Sequence, residues 1–379
     1  MYRHGLVVGK FYPPHAGHHH LIRVAAAACE RVTVVVAPSS RESIPLAVRL
    51  DWLREVHADT DGVRVAGVID DHPIDYADPE VWDAHCAVFQ SVLDADVDAV
   101  FSSEAYGEEL ARRFGAQHVA VDPRRAAAPV SGTAVRMDPV AYWDMLAPPV
   151  RAWFTRRIVV VGAESTGTTT LSRALAAALR DRGGVWSATG WVPEYGRELT
   201  ERKLAALRTR DPEATVFDVT WDRDDFVEVA EAQNAAEDAA ARTGSPILVC
   251  DTDSWATAIW EERYLGSTSP AVRAAARRPA LYLLTDDKDV PFEDDGLRDG
   301  EHLRTWMNER FRSELRTRGL PFVEVSGAPE ARLAVALSAC DELIRQGWSL
   351  ADPLVPPSRT DQEKELANSP SCSRTSPTR

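Results

Sequence analysis

The sequence predicts an α/β protein made of two doubly wound domains, each built around a parallel sheet. Short runs rich in Val and Ile alternate with helix-like segments along the chain. The apolar residues within each run are continuous, which is typical of parallel strands buried on both faces. The alternation begins again after MLAPPVRAWFTRR, so a second domain follows the first.

The two series of strand-like runs set the expected domain boundaries. Residues 1–150 contain HGLVVG, RVTVVVAP, VRVAGVI, DAVFSS and HVAVD. Residues 156–350 contain RIVVVGA, a possible strand at GVWSATGW, then PILVCD, ALYLLTD and PFVEVSG. Residues 352–379 are rich in Pro, Ser, Thr and charge, and this composition predicts a disordered tail.

Composition limits the class of ligand. The chain has 379 residues, and 43 Lys and Arg are outnumbered by 58 Asp and Glu, which gives a net charge of -15. Because nucleic acids and membrane surfaces attract basic proteins, the charge disfavours both as partners. Small phosphate ligands remain open, since a few local groups can hold them.

The cysteines and the N-terminus indicate the compartment. The five cysteines are widely spaced, and the first residues carry only a short apolar run. We therefore expect a reduced, cytoplasmic protein without a signal peptide or membrane anchor. Small molecules are the expected partners, and the sequence leaves homo-oligomerisation open.

A first phosphate site is predicted directly after the first strand, in GKFYPPHAGHHHLI. His15 and His18 are three residues apart at the start of a helix, so they share one helix face. The N–H groups and partial positive charge of a helix N-terminus suit a polyphosphate, which Gly9 and Phe11 would also border. Four neighbouring histidines without a carboxylate do not favour zinc.

A second anion-binding segment occurs later, at SGTAVR. Ser131, Gly132 and Thr133 precede a helix-like stretch that carries Arg136. Hydroxyl groups at a helix start and a guanidinium one turn later can both hold phosphate oxygens. Alone, the segment would be a weak signal, because capping sequences are common.

Together, GKFYPPHAGH and SGTAVR resemble the HxGH and ISxTxxR signatures of the nucleotidyltransferase superfamily. The resemblance implies that His15 and His18 hold ATP phosphates during attack at the α-phosphorus, and that Thr133 and Arg136 hold the β- and γ-phosphates. The attacking atom would be an ionised phosphate oxygen, so positioning and electrostatics would supply the rate. Lys10 is expected to bridge the phosphates of the two substrates, with Mg²⁺ assisting.

The residues that bind the acceptor substrate are expected in the sequence between these two motifs. Tyr76 and Trp82 in DHPIDYADPEVW could stack on a flat nicotinamide ring, although a core role for Trp82 is equally compatible with the sequence. Ser102 follows the fourth strand and should face the same crevice. Arg49 is a weaker candidate.

A P-loop is predicted at the start of the second domain, in RIVVVGAESTGTTTLSRALA. Gly162 and Gly167 have the required separation, but Thr168 stands where the usual lysine belongs. Thr169 keeps the hydroxyl that normally binds Mg²⁺. Arg298 or Arg304, in a charged lid-like segment, could replace the lysine. The other residues expected to contact nucleotide are Ala163, Glu164, Ser165, Thr166 and Thr170.

Two further segments fit a small-molecule kinase. PILVCDTD ends in Asp251 and Asp253, which could organise Mg²⁺ or hold a ribose hydroxyl. VPEYGRE offers Glu194 as a base, Tyr195 for stacking and Arg197 as a cation. Alternatively, Arg197 and Glu198 are ordinary charged residues of a surface loop and have no role in the site.

The whole pattern over about residues 4–345 resembles the bifunctional nicotinamide-nucleotide adenylyltransferase and ribosylnicotinamide kinase of the NadR type. The resemblance implies phosphorylation of nicotinamide riboside, followed by adenylylation of the mononucleotide to NAD, with ATP as the second substrate. Some members carry an N-terminal helix-turn-helix domain, for which we expect no room before the first strand.

Two alternatives remain open at this stage. The threonine at position 168 would also fit a second domain that binds ATP or the riboside as a sensor and does not phosphorylate the riboside. An HxGH signature would also fit an adenylyl or cytidylyl transfer to another phosphorylated acceptor.

Overall fold

The computed structural model describes residues 1–288, 290–293 and 295–354. Within the chain, two compact units can be separated: Met1–Arg136 with the segment that starts at Trp348, and Met137–Gly347. The division falls earlier than the predicted boundary at 150–156. Trp143 Nε1 donates to the carbonyl of Gly244 at 2.8 Å, and Thr155 Oγ1 donates to Ala241 at 3.2 Å. These bonds attach the segment after Arg136 to the second unit.

The first sheet has five parallel strands in the order β3-β2-β1-β4-β5. Their bounds are β1 Tyr2–Gly9, β2 Cys29–Val36, β3 Val63–Gly67, β4 Ala99–Ser102 and β5 Gln117–Ala120. The helices associated with this part of the chain are α1 Ala16–Ala28, α2 Leu46–Val56, α3 Pro79–Gln90, α4 Tyr106–Arg113 and α5 Gly132–Met137. Strand β1 is central, as expected for a doubly wound fold.

The second sheet also has five parallel strands, in the order β10-β9-β6-β8-β7. Their bounds are β6 Arg156–Val161, β7 Gly190–Val192, β8 Ile247–Asp251, β9 Leu281–Thr285 and β10 Phe322–Val325. The helices are α6 Pro148–Phe154, α7 Thr168–Arg180, α8 Tyr195–Arg208, α9 Arg223–Thr243, α10 Thr257–Leu265, α11 Pro270–Ala275, α12 Arg304–Thr317 and α13 Pro329–Gln346. Short 3₁₀ turns occur at Trp143–Met145, Gly184–Ala188, Val216–Asp218 and Glu301–Leu303.

Burial on both faces explains why the central strands read as continuous apolar runs. In β6, Val159 and Val161 belong to one hydrophobic cluster, whereas Ile158 and Val160 belong to another. Alternate side chains of a strand point to opposite faces, so helices must cover both sides of the sheet. The predicted fold class is thereby confirmed.

One predicted strand is displaced along the sequence. In GVWSATGW, Gly184–Ala188 forms a 3₁₀ turn, and the strand β7 begins only at Gly190. Trp186 within the turn packs against the core of the second sheet. The aromatic residue therefore signals burial here, but it is not part of a strand.

Both sheets place a loop and a helix start at the end of their central strand. The loop after β1 leads into α1, and the loop after β6 leads into α7. In open parallel sheets, ligands bind at the carboxyl ends of the strands. Among the described residues, no helix is long and apolar enough to cross a membrane.

Candidate active sites

A cavity of about 480 Å³ lies at the carboxyl end of the first sheet. This volume is in the range of small-molecule sites. It brings together most of the residues predicted from the two first-domain motifs: Gly9, Lys10, Phe11, His15, His18, Ser131, Gly132, Thr133 and Arg136. The motifs are more than a hundred residues apart in sequence, and the fold makes them one site.

His18 is held as a neutral hydrogen-bond donor. The backbone N–H of His15 donates to Nδ1 of His18 at 3.3 Å. Burial lowers the pKa of His18 well below 6.5, with a further contribution from the neighbouring histidines. A neutral imidazole that accepts at Nδ1 carries its proton on Nε2. His18 can therefore donate from Nε2 to a phosphate oxygen in the cavity.

His15 stacks against His18, and the glycine at position 17 leaves room for the His15 ring. The ring centroids are 3.8 Å apart, and burial lowers the pKa of His15 to about 4. A Cβ on Gly17 would lie 3.2 Å from the His15 ring and would press it away. His15 Nδ1 is buried without a hydrogen-bond partner in the described part of the chain. Its unsatisfied nitrogen is suited to a ligand.

The next histidine along the helix has a different role. His19 is buried, and its Nδ1 lies 3.0 Å from Nε2 of His57. It is thus part of the core, whereas His20 lines the cavity.

Arg136 is fixed in the cavity by the loop after β1. Its Nη1 donates to the carbonyl of Tyr12 at 2.6 Å, and its Nη2 donates to Thr133 Oγ1 at 3.1 Å. The guanidinium carbon also lies 4.9 Å from the centroid of the Tyr12 ring. Ser131 Oγ accepts from the N–H of Ala134 at 3.1 Å and thereby caps α5.

Lys10 reaches the cavity beside a buried ion pair. Its Nζ lies 3.2 Å from Glu42, whose other oxygen accepts from Arg49 at 2.6 Å. Arg49 is fully buried and also donates to the backbone carbonyls of Lys10 and Ile44. Arg49 therefore supports the loop from behind and does not line the cavity, contrary to its candidacy as a ligand-binding residue.

A segment near the C-terminus contacts the same cavity. Lys10 Nζ donates to the carbonyl of Leu354 at 3.1 Å, and the Tyr12 hydroxyl donates to the carbonyl of Ala351 at 2.8 Å. The N–H of Ala351 donates to Ser43 Oγ at 2.7 Å, and the charge of Asp352 acts on Arg136. The cations expected to hold ATP phosphates thus already face oxygen acceptors. The rest of the predicted disordered tail, residues 355–379, lies outside the described residues.

Two of the three residues predicted to contact the acceptor substrate lie in one wall of the cavity, which we call the acceptor wall. Tyr76 and Trp82 line the cavity with ring centroids 5.9 Å apart, and Trp82 Nε1 donates to the carbonyl of Tyr76 at 3.1 Å. Trp82 also packs in the core, so it has both roles that the sequence allowed. Ser102 is buried, where its hydroxyl bonds to Glu104 and His118, and it does not line the cavity.

Sequence reasoning missed several groups in this wall. Arg125, Asp70 and His85 line the cavity, and Asp70 raises the pKa of His85. They come from loops and a helix between the motifs, where no local pattern marks them.

The second cavity, of about 120 Å³, surrounds the P-loop. It is lined by Gly162, Ala163, Glu164, Ser165, Thr168, Thr169, Glu194, Arg197, Asp251 and Arg298. Gly167 adopts a left-handed conformation with φ of 86° directly before α7. Glycine accepts that conformation without strain, so the chain turns sharply and points the N-terminus of α7 at the cavity. Thr166 is buried, Thr170 is exposed, and neither lines the cavity.

Thr168, in the lysine position, lies near the same carboxylate as its neighbour Thr169. Burial raises the pKa of Asp251 to about 6, and the hydroxyls of Thr169 and Thr168 act in the opposite direction. A buried carboxylate beside hydroxyl oxygens is a hard-oxygen donor set that fits Mg²⁺.

Two arginines of the charged segment that was predicted to form a lid, Arg298 and Arg304, contact the P-loop. Arg298 Nη1 donates to Ser165 Oγ at 3.1 Å, and Arg304 Nη2 donates to the Ser165 carbonyl at 3.1 Å. Arg298 lines the cavity, whereas Arg304 does not. Arg298 is therefore the better placed of the two to supply positive charge.

The VPEYGRE segment contributes one strongly perturbed acid. Burial, with the nearby charges of Asp251 and Glu164, raises the pKa of Glu194 to about 8. Arg197 forms an ion pair with Asp295 of the lid at 2.8 Å. Tyr195 does not line the cavity, because its hydroxyl donates to Glu228 at 2.8 Å on the exposed side.

Asp253 is a core residue and not part of the cavity lining. It is buried, and one oxygen accepts from the Tyr282 hydroxyl at 2.6 Å. The strand ends at Asp251, and the turn after it directs the two carboxylates to different surroundings. The prediction that Asp253 contacts substrate is not supported by this position.

A buried arginine supports the P-loop from a distant segment. Arg332 on α13 donates to the carbonyl of Thr166 at 2.7 Å and to that of Asp286 at 3.0 Å. It follows the P-loop by more than 160 residues, so no motif points to it.

Comparison with known families supports the division into two kinds of domain. A cytidylyltransferase-like family model matches residues 6–138, and an AAA domain model matches residues 157–332.

Two curated relatives match most of the chain. The chain is 26% identical over 313 residues to the "Trifunctional NAD biosynthesis/regulator protein NadR" of Escherichia coli (strain K12), covering 78% of this chain and 71% of the relative. The protein of the same name from Salmonella typhimurium (strain LT2) is 26% identical over 311 residues, with the same shares covered.

Solved structures share the fold over nearly the whole chain. A NadR protein in complex with NR has a TM-score of 0.70 at 23% identity, covering 90% of this chain and 96% of that one. A NadR protein in complex with NAD and AMP-PNP has a TM-score of 0.67 at 23% identity, covering 93% and 99%.

Proposed function

We propose that this chain, a NadR-type protein, is an enzyme of NAD synthesis with two activities. Its first domain transfers an adenylyl group from ATP to nicotinamide mononucleotide, and its second phosphorylates nicotinamide riboside. The observation that carries the proposal is the meeting of both nucleotidyltransferase motifs in one cavity, on a chain that also has a P-loop cavity. The relatives named for NAD biosynthesis support the same reading.

In the first domain, ATP would lie across the start of α1 and α5. The Nε2–H of His18 donates to a phosphate oxygen without adding a charge, and Arg136 and Lys10 neutralise the triphosphate. A phosphate oxygen of the mononucleotide forms a bond to the α-phosphorus as the bond to pyrophosphate breaks. The nucleophile is already ionised, so no protein base is needed, and preorganised donors lower the barrier.

The nicotinamide ring would stack against the aromatic wall. Tyr76 is 57% exposed, and Trp82 is fixed by the hydrogen bond to the Tyr76 carbonyl. An exposed ring beside a fixed one suits a flat, cationic base.

In the second domain, Glu194 would act as the base. A riboside hydroxyl attacks the γ-phosphorus, Glu194 takes its proton, and ADP leaves. Arg298 supplies the charge that the missing P-loop lysine would have supplied. Asp251 and Thr169 would hold Mg²⁺, which when bound neutralises charge on the transferred phosphoryl group.

We further propose that the enzyme is cytoplasmic and acts on small molecules, not nucleic acid. The net charge of -15 and the scattered cysteines support this setting.

One observation favours a second candidate function for the P-loop domain. Thr168 stands in the lysine position and lines the cavity, where its side chain supplies no positive charge to a phosphate. A domain that binds ATP and riboside without transfer would be a sensor. ATP binding without any ADP formation in the presence of riboside would favour the sensor over the kinase.

His18→Ala should slow adenylyl transfer by about 10²-fold or more, because one preorganised donor at the transferred group is lost. NAD formation from ATP and nicotinamide mononucleotide measures the effect. Riboside phosphorylation by the same sample is the internal control and should be unchanged. An unchanged rate of adenylyl transfer would contradict the assignment of His18.

Removal of the segment from Ala351 onward should lower the KM for ATP in adenylyl transfer. The Leu354 carbonyl and the Asp352 charge no longer compete for Lys10 and Arg136, and lost hydrogen bonds of about 1 kcal/mol each predict a change of roughly 3- to 10-fold. Truncation after Leu354 is the matched control, because it removes only residues 355–379. Equal KM values for the two truncations would show that the segment does not compete with ATP.

The pH dependence of riboside phosphorylation should report Glu194. Because its pKa is raised to about 8, the ionised base becomes scarcer below that pH. The kcat/KM should rise about tenfold per unit toward pH 8 and level above it. Glu194→Gln should remove most of the rate together with this slope. A flat wild-type profile between pH 6 and 8 would rule out Glu194 as the base.

Arg298→Ala should lower riboside kinase turnover by about 10²-fold while the affinity for ATP changes little, since a charge used in the transition state affects rate more than binding. Arg304→Ala is the matched control, because Arg304 contacts Ser165 but does not line the cavity. If Arg298→Ala turned over like wild type, the compensating cation would have to be another residue.

A further inference from the structure

Three metal-ligating side chains converge in the wall of the first cavity. Asp70 lies on the loop after β3, His72 follows it by two residues, and His85 lies on α3. His85 Nδ1 is 2.5 Å from one oxygen of Asp70, and His72 Nδ1 is 3.0 Å from the other. One ligand atom of each residue lies within 4.8 Å of the other two. Both imidazoles thus direct the same nitrogen at one carboxylate.

The surroundings fix this orientation. His85 Nε2 donates to the carbonyl of Pro73 at 3.0 Å, and the N–H of Asp70 donates to the carbonyl of Pro38 at 2.9 Å. The His85 ring also stacks on Phe89, with centroids 6.1 Å apart. Metal-binding histidines commonly donate their second ring nitrogen to a backbone carbonyl, which leaves the first nitrogen free for the ion. His85 has this arrangement.

We propose that Asp70, His72 and His85 form a binding site for one Zn²⁺ ion, separate from the phosphate-binding residues. Two imidazoles and one carboxylate are a ligand set that zinc accepts, with a fourth position left for water. Mg²⁺ and Ca²⁺ prefer oxygen ligands, so they fit this site less well.

Movements of no more than about 1.5 Å are needed to admit the ion. Ligand atoms at about 2.0 Å from a tetrahedral zinc ion are roughly 3.3 Å apart, so His85 and Asp70 must separate by less than about 1 Å. All three ligand atoms lie within 4.8 Å of one another, so the two imidazoles must approach by at most about 1.5 Å. The His72 side chain is 46% exposed and can adjust. Bound zinc would tie the loop after β3 to α3, the helix that carries Trp82. The site would therefore stabilise the wall against which the acceptor is expected to bind.

Zinc binding by the full chain tests the proposal without substrates and so does not depend on the proposed reactions. Chelator-treated protein is dialysed against Zn²⁺, and bound metal is measured by elemental analysis. We expect one ion per chain in wild type and at least tenfold weaker binding in His72→Ala and His85→Ala, the scale of a lost ligand or its support. His302→Ala, an exposed histidine of the other unit, is the matched control and should bind like wild type.

Two further measurements keep the test decisive. Co²⁺ in place of Zn²⁺ should give the visible absorption of a tetrahedral site in wild type but not in His72→Ala. Thermal unfolding of apo His72→Ala should match that of apo wild type, because the exposed ring can be lost without unfolding. Equal zinc binding by wild type and both histidine variants, or no zinc binding by wild type, would contradict the proposed site. The three side chains would then form a hydrogen-bonded cluster that binds no metal.

Discussion

The constraint on which both sites depend is the burial of a central parallel strand that ends in a tight turn and a helix start. In each sheet the first strand of the domain is central, β1 in one and β6 in the other. Because both faces of these strands are covered, their ends are the places where the chain can meet a ligand. The helix that follows presents N–H groups and partial positive charge to phosphate. The two proposed phosphate-transfer sites therefore have the same local architecture, a buried strand followed by a tight turn and a helix start.

The two sites differ in the side chains that add hydrogen-bond donors and positive charge to the helix N-terminus. The first uses neutral imidazoles with fixed tautomers, supplemented by Lys10 and Arg136. The second lacks the usual P-loop lysine, and the cation proposed to replace it, Arg298, lines the cavity and donates to Ser165. Arg298 follows the P-loop by more than 120 residues, so its position beside the loop depends on tertiary packing and not on the loop itself.

The sequence predicted the fold and the loops better than the walls of the sites. Continuous Val and Ile runs and glycine-rich turns are local signals, so both sheets and both phosphate loops could be located. Asp253 and Ser102 do not line the cavities, because a residue at or just past a strand end can turn into the core as easily as into the crevice. Arg125, His85 and Arg332 were missed, since only tertiary packing brings them to their sites. The segment at Ala351–Leu354 shows the same limit, because the composition of the C-terminal tail does not reveal that two of its backbone carbonyls accept hydrogen bonds from Lys10 and Tyr12.

The central claim is that one chain performs consecutive steps, with the product of the second domain serving as substrate of the first. The direct measurement supplies purified protein with nicotinamide riboside, ATP and Mg²⁺, and follows NAD, ADP and pyrophosphate together. If the two domains act in sequence, NAD should form with one ADP and one pyrophosphate for each NAD. Formation of NAD from nicotinamide mononucleotide but none from the riboside, at any enzyme concentration, would contradict it.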